Sequence, residues 1–395
     1  MSVPAGVVVV GASAAGLATA EALRRKGYRG GLTVLGAEPH LPYDRPPLSK
    51  QVLSGAWAPD RARLRPREAL SALGAEFLLG DPAVGLDVER RAVHTTSGRT
   101  LRAGAVVVAT GLRPRTLPGQ DGLAGVHVLR TLDDALALRA DLRADLRDPA
   151  RLVVVGDGVL GAEIAATARE LGAAVTLAGP EPAPLTGKLG PMIAGLLAER
   201  GVRLRPGAGV SGLDGHDGRV TGVRLVTGEV LPADVVVVAI GAVPETGWLA
   251  GSGLRLDDGL VCDSRCRAAP GVYAAGDVAR WHHDTLGTLI RLENRTNATE
   301  QAGLVASCIL GDDRPYRPVP YFWTDQFDAR IHVHGTPSAG AEMTVVDGDP
   351  AARRFVALYH RDATITGVLG WNMPKQARLW RGRIGDAVAG LAPAL

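Results

Sequence analysis

The sequence predicts an α/β chain of two similar parallel-sheet units followed by a small C-terminal α+β domain, and three observations carry that reading. Two valine-rich runs, 7–10 and 152–155, each lead straight into a glycine-rich turn and a helical stretch. Each unit then closes on another apolar run ending in glycine, 105–111 and 234–241. From about Arg314 the texture changes to short alternating segments separated by turns. At 395 residues the chain is too long for one compact core, so two to three domains are expected.

A continuous β-branched run reads as a parallel strand buried on both faces. The first feeds Gly11-Ala-Ser-Ala-Ala-Gly16 and a helix to about Lys26; a second strand, 32–35, ends at Gly36-Ala37-Glu38. A proline-rich loop and a shorter helix precede the run 105–111. In the second unit, 152–155 leads into Gly156-Asp-Gly-Val-Leu-Gly161, a helix to about Leu171 and a strand over 174–178. Two copies of one plan make two Rossmann-like nucleotide-binding domains. Gly271-Val-Tyr-Ala-Ala-Gly276-Asp277 has no counterpart in the second unit, so the chain is expected to return and complete the first. The expected domains are 1–112 with 242–313, then 113–241, then 314–395. Runs such as 330–334 and 354–359 give the last domain its antiparallel strands.

Composition narrows the class. A net charge of +3 argues against a general nucleic-acid binder, while leaving room for local basic patches. Three cysteines (Cys262, Cys266 and Cys308) with no CxxC pair argue against a disulfide framework and against a zinc site, so no metal is expected. No apolar run reaches the length of a membrane span, and the N-terminus carries no basic leader, so a cytoplasmic protein is expected. Of 44 basic residues only Lys26, Lys50, Lys188 and Lys375 are lysine, which directs attention to each of them.

Between strand and helix, glycines remove the Cβ atoms that would keep a pyrophosphate from backbone N–H groups and the helix N-terminus. Gly11, Ser13, Ala14, Ala15 and Gly16 form the first such loop, with serine in place of the middle glycine, and Glu38 can take both hydroxyls of an adenosine ribose. Gly156, Gly158, Val159, Leu160 and Gly161 form a full GxGxxG. Its second strand ends at Gly179, where an acid is expected, and Glu181 follows as a substitute. No arginine lies there to receive a 2′-phosphate, which favours NADH over NADPH. Gly241 closes this unit. Two dinucleotide sites in one chain call for a flavin and a nicotinamide meeting ring to ring.

Further motifs are more specific. Leu41-Pro-Tyr-Asp-Arg-Pro-Pro-Leu-Ser-Lys50, Ala109-Thr-Gly-Leu-Arg-Pro114, Leu129-Arg-Thr-Leu-Asp-Asp134, Ala274-Ala-Gly-Asp277, Asn297-Ala298 with Gln301, and Phe322-Trp-Thr-Asp-Gln326 stand in order along nearly the whole chain. Together they resemble the ferredoxin reductases that serve cytochrome P450s and aromatic-ring dioxygenases, the putidaredoxin reductase and rubredoxin reductase family. The resemblance implies the glutathione-reductase-like fold and FAD contacts at Ala14, Ala15, Glu38, Arg45, Lys50, Ala83, Thr110, Gly111, Arg130, Gly276, Asp277 and Arg295. Asp277 would hold a ribityl hydroxyl. The chain departs from the family at Gly179 and at Asn294-Arg295, where the family often has His-Trp or a small apolar pair.

The resemblance also implies an NADH-to-ferredoxin cycle: hydride from NADH to FAD N5, then single electrons to an acidic [2Fe–2S] ferredoxin. Lys50, just past a Pro-Pro turn where a helix can begin, would stabilise negative charge near flavin N5 and O4. Glu163, expected on the first turn of the second loop helix, would approach Lys50 and the nicotinamide carboxamide. Without the resemblance these are a surface lysine and an exposed glutamate. A helix starting near Asn297 would point its N-terminus at flavin N1 and O2. Trp323 either covers the flavin ring or is a core aromatic of the third domain.

The loop around Lys50 has no cysteine, which argues against glutathione-reductase-like disulfide chemistry and against the single-cysteine NADH oxidases and coenzyme A disulfide reductases. Cys262 and Cys266 read as buried or incidental thiols. Candidate docking cations are Arg61, Arg63, Arg65 and Arg67, and Lys375, Arg378, Arg381 and Arg383, clusters that also occur as plain solvated faces. Two other readings stay open: a small-molecule reductase resembling monodehydroascorbate reductase, and a redox sensor resembling apoptosis-inducing factor. Monomer and homodimer are both compatible with the sequence.

Overall fold

The computed structural model describes residues 3–144, 149–179, 189–337 and 340–388. The chain forms two compact units: Met1–Asp44, Asp60–Arg113 and Ala242–Pro318 make one, and Arg45–Pro59, Pro114–Gly241 and Val319–Leu395 the other.

The first unit is built on a six-stranded sheet. Gly6–Val10 lies at its centre, parallel to Gly31–Gly36 on one side and Ala105–Val108 on the other. The valines of the central strand are at most 3% exposed, because layers cover both faces of the sheet. Burying each such side chain stabilises the fold by about 1.5–3 kcal/mol. Val272–Ala274 pairs in parallel with Ala105–Val108, so the chain does return to the first sheet after leaving it. The helix Ala14–Arg25 packs against Arg295–Ile309. The latter begins two residues before the position expected, because Asn294 takes the N-cap and its side chain accepts from the Asn297 amide at 3.0 Å.

The second unit repeats the plan. Arg151–Val155 is central, parallel to Ala174–Gly179 and to Val235–Val238, with Arg203–Pro206 and Val126–His127 at the edges. Register corrects one expectation. Val10 pairs with Leu35 and Val155 pairs with Ala178. Gly179 is therefore the counterpart of Gly36, not of Glu38, and its lack of an acid is no departure from the first copy. Counting on two residues puts Glu181 at the counterpart of Glu38; residue 181 lies outside the described residues.

The same unit holds a five-stranded antiparallel sheet in the order Tyr321–Gln326, Ala329–Gly335, Thr364–Trp371, Arg354–Arg361, Glu342–Asp349. Simple alternation fails in Arg354–Arg361, where residues 355–359 are all buried. That strand lies inside the sheet with both faces covered, Val356 and Leu358 on a cluster with Met373 and Ala377, and Phe355 stacked on Trp371. No helix of the described residues is long and apolar enough to cross a membrane.

Candidate active site

In the first unit the glycine loop is shaped by its own backbone. Gly11 adopts φ +118°, and a Cβ there would lie 2.2 Å from the Ala109 carbonyl oxygen. At Gly16 a Cβ would lie 1.7 Å from the oxygen of Gly11. Ser13 is the N-cap of Ala14–Arg25, in extended conformation, and its hydroxyl makes no capping bond. The first amides of that helix, Ala14 and Ala15 among them, have no partners within it. Gly276 comes down on this turn: a Cβ on it would meet that of Ala15 at 2.9 Å, and its N–H donates to Gln301 Oε1 at 2.8 Å. The structure thus brings Gly11, Ser13, Ala14, Ala15, Gly16 and the Gly276-Asp277 turn together.

The other first-unit candidates lie on separate elements. Glu38, two residues past its strand, accepts from the Tyr43 hydroxyl. Thr110 donates to the Glu245 carbonyl at 2.7 Å, and Gly111 has φ +71°. Ala83 opens a strand of a separate three-stranded sheet. Arg295 is ion-paired with Asp44 at 2.5 Å and also donates to Thr299.

The second unit carries the matching loop. A Cβ on Gly156 (φ +111°) would lie 2.2 Å from the Ala239 oxygen, and one on Gly161 1.9 Å from the Gly156 oxygen. Gly158 differs: a Cβ there would meet nothing within 4 Å. This loop therefore has open space at its middle position, in front of a helix, Val159–Glu170, that starts with Val159 and the exposed Leu160. Gly241, at φ +86°, repeats Gly111.

Lys50 lies in one turn of π-helix, Leu48–Val52, closed by Val52 N–H donating to the Pro47 carbonyl at 2.9 Å. Arg139 and Arg143 tie this turn down by donating to the carbonyls of Val52 (3.2 Å) and Ser54 (3.0 Å). Its ammonium meets Glu163 Oε2 at 2.6 Å. Glu163 is the fifth residue of Val159–Glu170, on the second turn rather than the first, because the helix begins at Val159. A buried carboxylate costs several kcal/mol unless matched by donors. Glu163, 6% exposed, has three: Lys50, the Ser49 hydroxyl at 2.6 Å on Oε2, and the Thr324 hydroxyl at 2.8 Å on Oε1. Thr167 closes the network by donating to the Ser49 carbonyl at 2.7 Å.

Ser49, Thr167 and Thr324 are functional candidates that the sequence did not single out. Ser49 and Thr324 sit inside the two most specific motifs, each beside a residue that was named. Trp323 neighbours Thr324 on Tyr321–Gln326, half-buried, its ring stacked on Tyr321 at 5.9 Å between centroids. Tyr321 stacks in turn on His334 at 4.5 Å. Burial pushes the His334 imidazole down to about 4, with Arg381, His332 and Arg378 acting in the same direction. Arg45 donates to the Arg130 carbonyl. Lys50, Arg45, Arg130 and Trp323 belong to the second unit and the remaining flavin candidates to the first.

Cys262 and Cys266 are buried, and desolvation pushes both thiols up; Cys308 is pushed up to about 11 for the same reason. None of the three is a ready thiolate. Part of each basic cluster is neutralised, Arg63 by Asp60, Arg65 by Glu21 and Arg383 by Asp386. Lys375 and Arg378 stand exposed on Pro374–Trp380.

The profile of the pyridine nucleotide-disulphide oxidoreductases matches residues 5–302, and that of the reductase C-terminal domain matches residues 321–394. A ferredoxin–NAD(P)(+) reductase of Sphingomonas sp is 37% identical over 369 residues, covering 91% of this chain and 87% of that one. The ferredoxin–NAD(+) reductase subunit of the benzene 1,2-dioxygenase system of Pseudomonas putida is 38% identical over 336 residues, covering 83% and 80%. The crystal structure of the covalent putidaredoxin reductase–putidaredoxin complex matches with a TM-score of 0.89 at 32% identity, covering 97% of this chain and 93% of that one. With two glycine-loop units, a C-terminal antiparallel sheet and these alignments along most of its length, the chain belongs to the pyridine nucleotide-disulphide oxidoreductase family, alongside its ferredoxin reductases.

Proposed function

We propose that this protein is an FAD-dependent NADH:ferredoxin oxidoreductase, passing electrons to a [2Fe–2S] ferredoxin that feeds a cytochrome P450 or a ring-hydroxylating dioxygenase. One observation carries the reading: Lys50, on a loop without cysteine, is held by a buried Glu163 that accepts from three donors. A disulfide reductase of the same fold needs a thiol on that loop. An ammonium there serves electron transfer without one.

The residues fit the two nucleotides. At Gly11 and Gly16 the backbone packs too closely on Ala109 and Gly11 to admit a side chain, and the unpaired first amides of the helix can face a pyrophosphate. Gly156 and Gly161 give the second loop the same packing, with open space at Gly158. FAD, when bound, converts a two-electron donor into a source of single electrons. Lys50 supplies a fixed positive charge where negative charge arrives, which lowers the barrier because the site needs no reorganisation. Glu163 sets the direction of the Lys50 side chain, and Ser49 and Thr324 set that of Glu163. Trp323 contributes an apolar face that keeps water out. Lys375 and Arg378 offer cations to an acidic ferredoxin. A cytoplasmic location, where NADH is supplied, completes the reading.

A coupled assay tests it. NADH with the protein, a [2Fe–2S] ferredoxin and cytochrome c as final acceptor should give turnover that depends on the ferredoxin. Rapid turnover with small quinones or ascorbyl radical, and none with ferredoxin, would move the assignment to a small-molecule reductase.

A further inference from the structure

We infer that Asp157, whose carboxylate lies at the end of the second strand, contributes to the selection of NADH against NADPH by the second glycine loop. The inference rests on the coenzyme assignment made above. In a βαβ dinucleotide site the adenosine ribose lies just beyond the end of the second strand, and selection between the two coenzymes is made there. The strand Ala174–Gly179 ends on a glycine, and the carboxylate of Asp157 fills the space a side chain would take. A Cβ built on Gly179 would lie 2.2 Å from Asp157 Cγ and 2.4 Å from each of its carboxylate oxygens. The first loop has the same packing without the charge. There the residue between the glycines is Ala12, whose Cβ is 2.8 Å from the Cβ position of Gly36. Register makes Gly36 and Gly179 counterparts, so the comparison is position for position.

A carboxylate at the strand end accepts from a ribose hydroxyl and opposes a 2′-phosphate. Arg205, on the adjoining strand Arg203–Pro206, pairs with Glu229 at 3.7 Å. Gly179 is thus a requirement of Asp157 rather than a missing acid, since any side chain there would displace the carboxylate.

The test reads binding rather than turnover. FAD-loaded protein is titrated calorimetrically with ADP-ribose and with its 2′-phosphate, as wild type, Asp157→Asn and Asp157→Ala. Wild type should prefer ADP-ribose. Asp157→Asn, which keeps the shape and removes the charge, should narrow that preference about tenfold, mainly by tighter binding of the phosphorylated ligand. Asp157→Ala should narrow it as much and also weaken ADP-ribose a few-fold through the lost ribose hydrogen bond. A preference unchanged within about twofold in both variants overturns the role of Asp157 while leaving the coenzyme site standing. Wild-type protein that binds neither ligand overturns the coenzyme assignment itself, and the inference with it.

Discussion

The two glycine loops share a backbone and differ in the side chains it carries. Gly11 and Gly156 both take a left-handed φ, and Gly16 and Gly161 both lie against the carbonyl of the first glycine. Between them, Ala12 and Ser13 of the first loop stand where the second has Asp157 and Gly158. Two residues past the last glycine, the first has Ala18, packed on its core, and the second has the buried carboxylate of Glu163. The scaffold is set by positions that admit no side chain. Chemistry is set by positions that admit one and are occupied differently.

Substitutions that cross this line separate the two classes. The largest effect belongs to the scaffold: Gly16→Val or Gly161→Val forces backbone apart and should cost about 3 kcal/mol or more. Gly16→Val is expected to yield colourless or insoluble protein on purification. Gly158→Ala, with nothing within 4 Å, should instead leave the melting temperature nearly unchanged.

Next comes Glu163→Ala, which gives the second helix the residue type of the first. It strands the Lys50 ammonium, and reduction by NADH should slow about 100-fold with the flavin still bound. Equal rates in the variant and wild type would remove Lys50–Glu163 from the mechanism. Thr324→Val removes one of three donors from a buried carboxylate, worth about 1–3 kcal/mol, and should lower the melting temperature by several degrees.

Acid acts on a buried histidine of the second unit. His334 of the second unit takes its proton near 6.5 when unfolded and only near 4 when folded. Between those values the unfolded chain binds more protons, so stability falls as pH drops from 6.5 to 4, by about 3 kcal/mol at most. His334→Gln should flatten part of that slope in thermal melts. The smallest effect is at the surface: Lys375→Glu with Arg378→Glu should raise the KM for ferredoxin a few-fold, more at low salt, without changing reduction by NADH.

The parts of this molecule legible in its sequence are those fixed by local chemistry. Uninterrupted valine runs announce strands covered on both faces, and a glycine loop can be read because its glycines answer to atoms a few residues away. Glu163 and Lys50 were reached through motif. Their partners were not, because the meaning of Ser49 and Thr324 depends on chain segments 114 and 161 residues from them. From sequence alone Gly179 reads as a departure, because the end of a strand cannot be placed to within two residues without its pairing. The π-turn at Lys50 has no local signature either, since anchors on another helix, Arg139 and Arg143, hold it in place.

The central claim is that a cysteine-free, lysine-bearing loop marks an enzyme that takes electrons from NADH and gives them to an iron–sulfur protein. Anaerobic stopped-flow absorbance at the flavin band tests it most directly, first on mixing with NADH and then on mixing the reduced protein with a [2Fe–2S] ferredoxin. The account expects fast bleaching by NADH, slower bleaching by NADPH, and fast return of the flavin band with ferredoxin. A protein that stays colourless after FAD is added, or that bleaches and is not reoxidised by any of several ferredoxins, would contradict it.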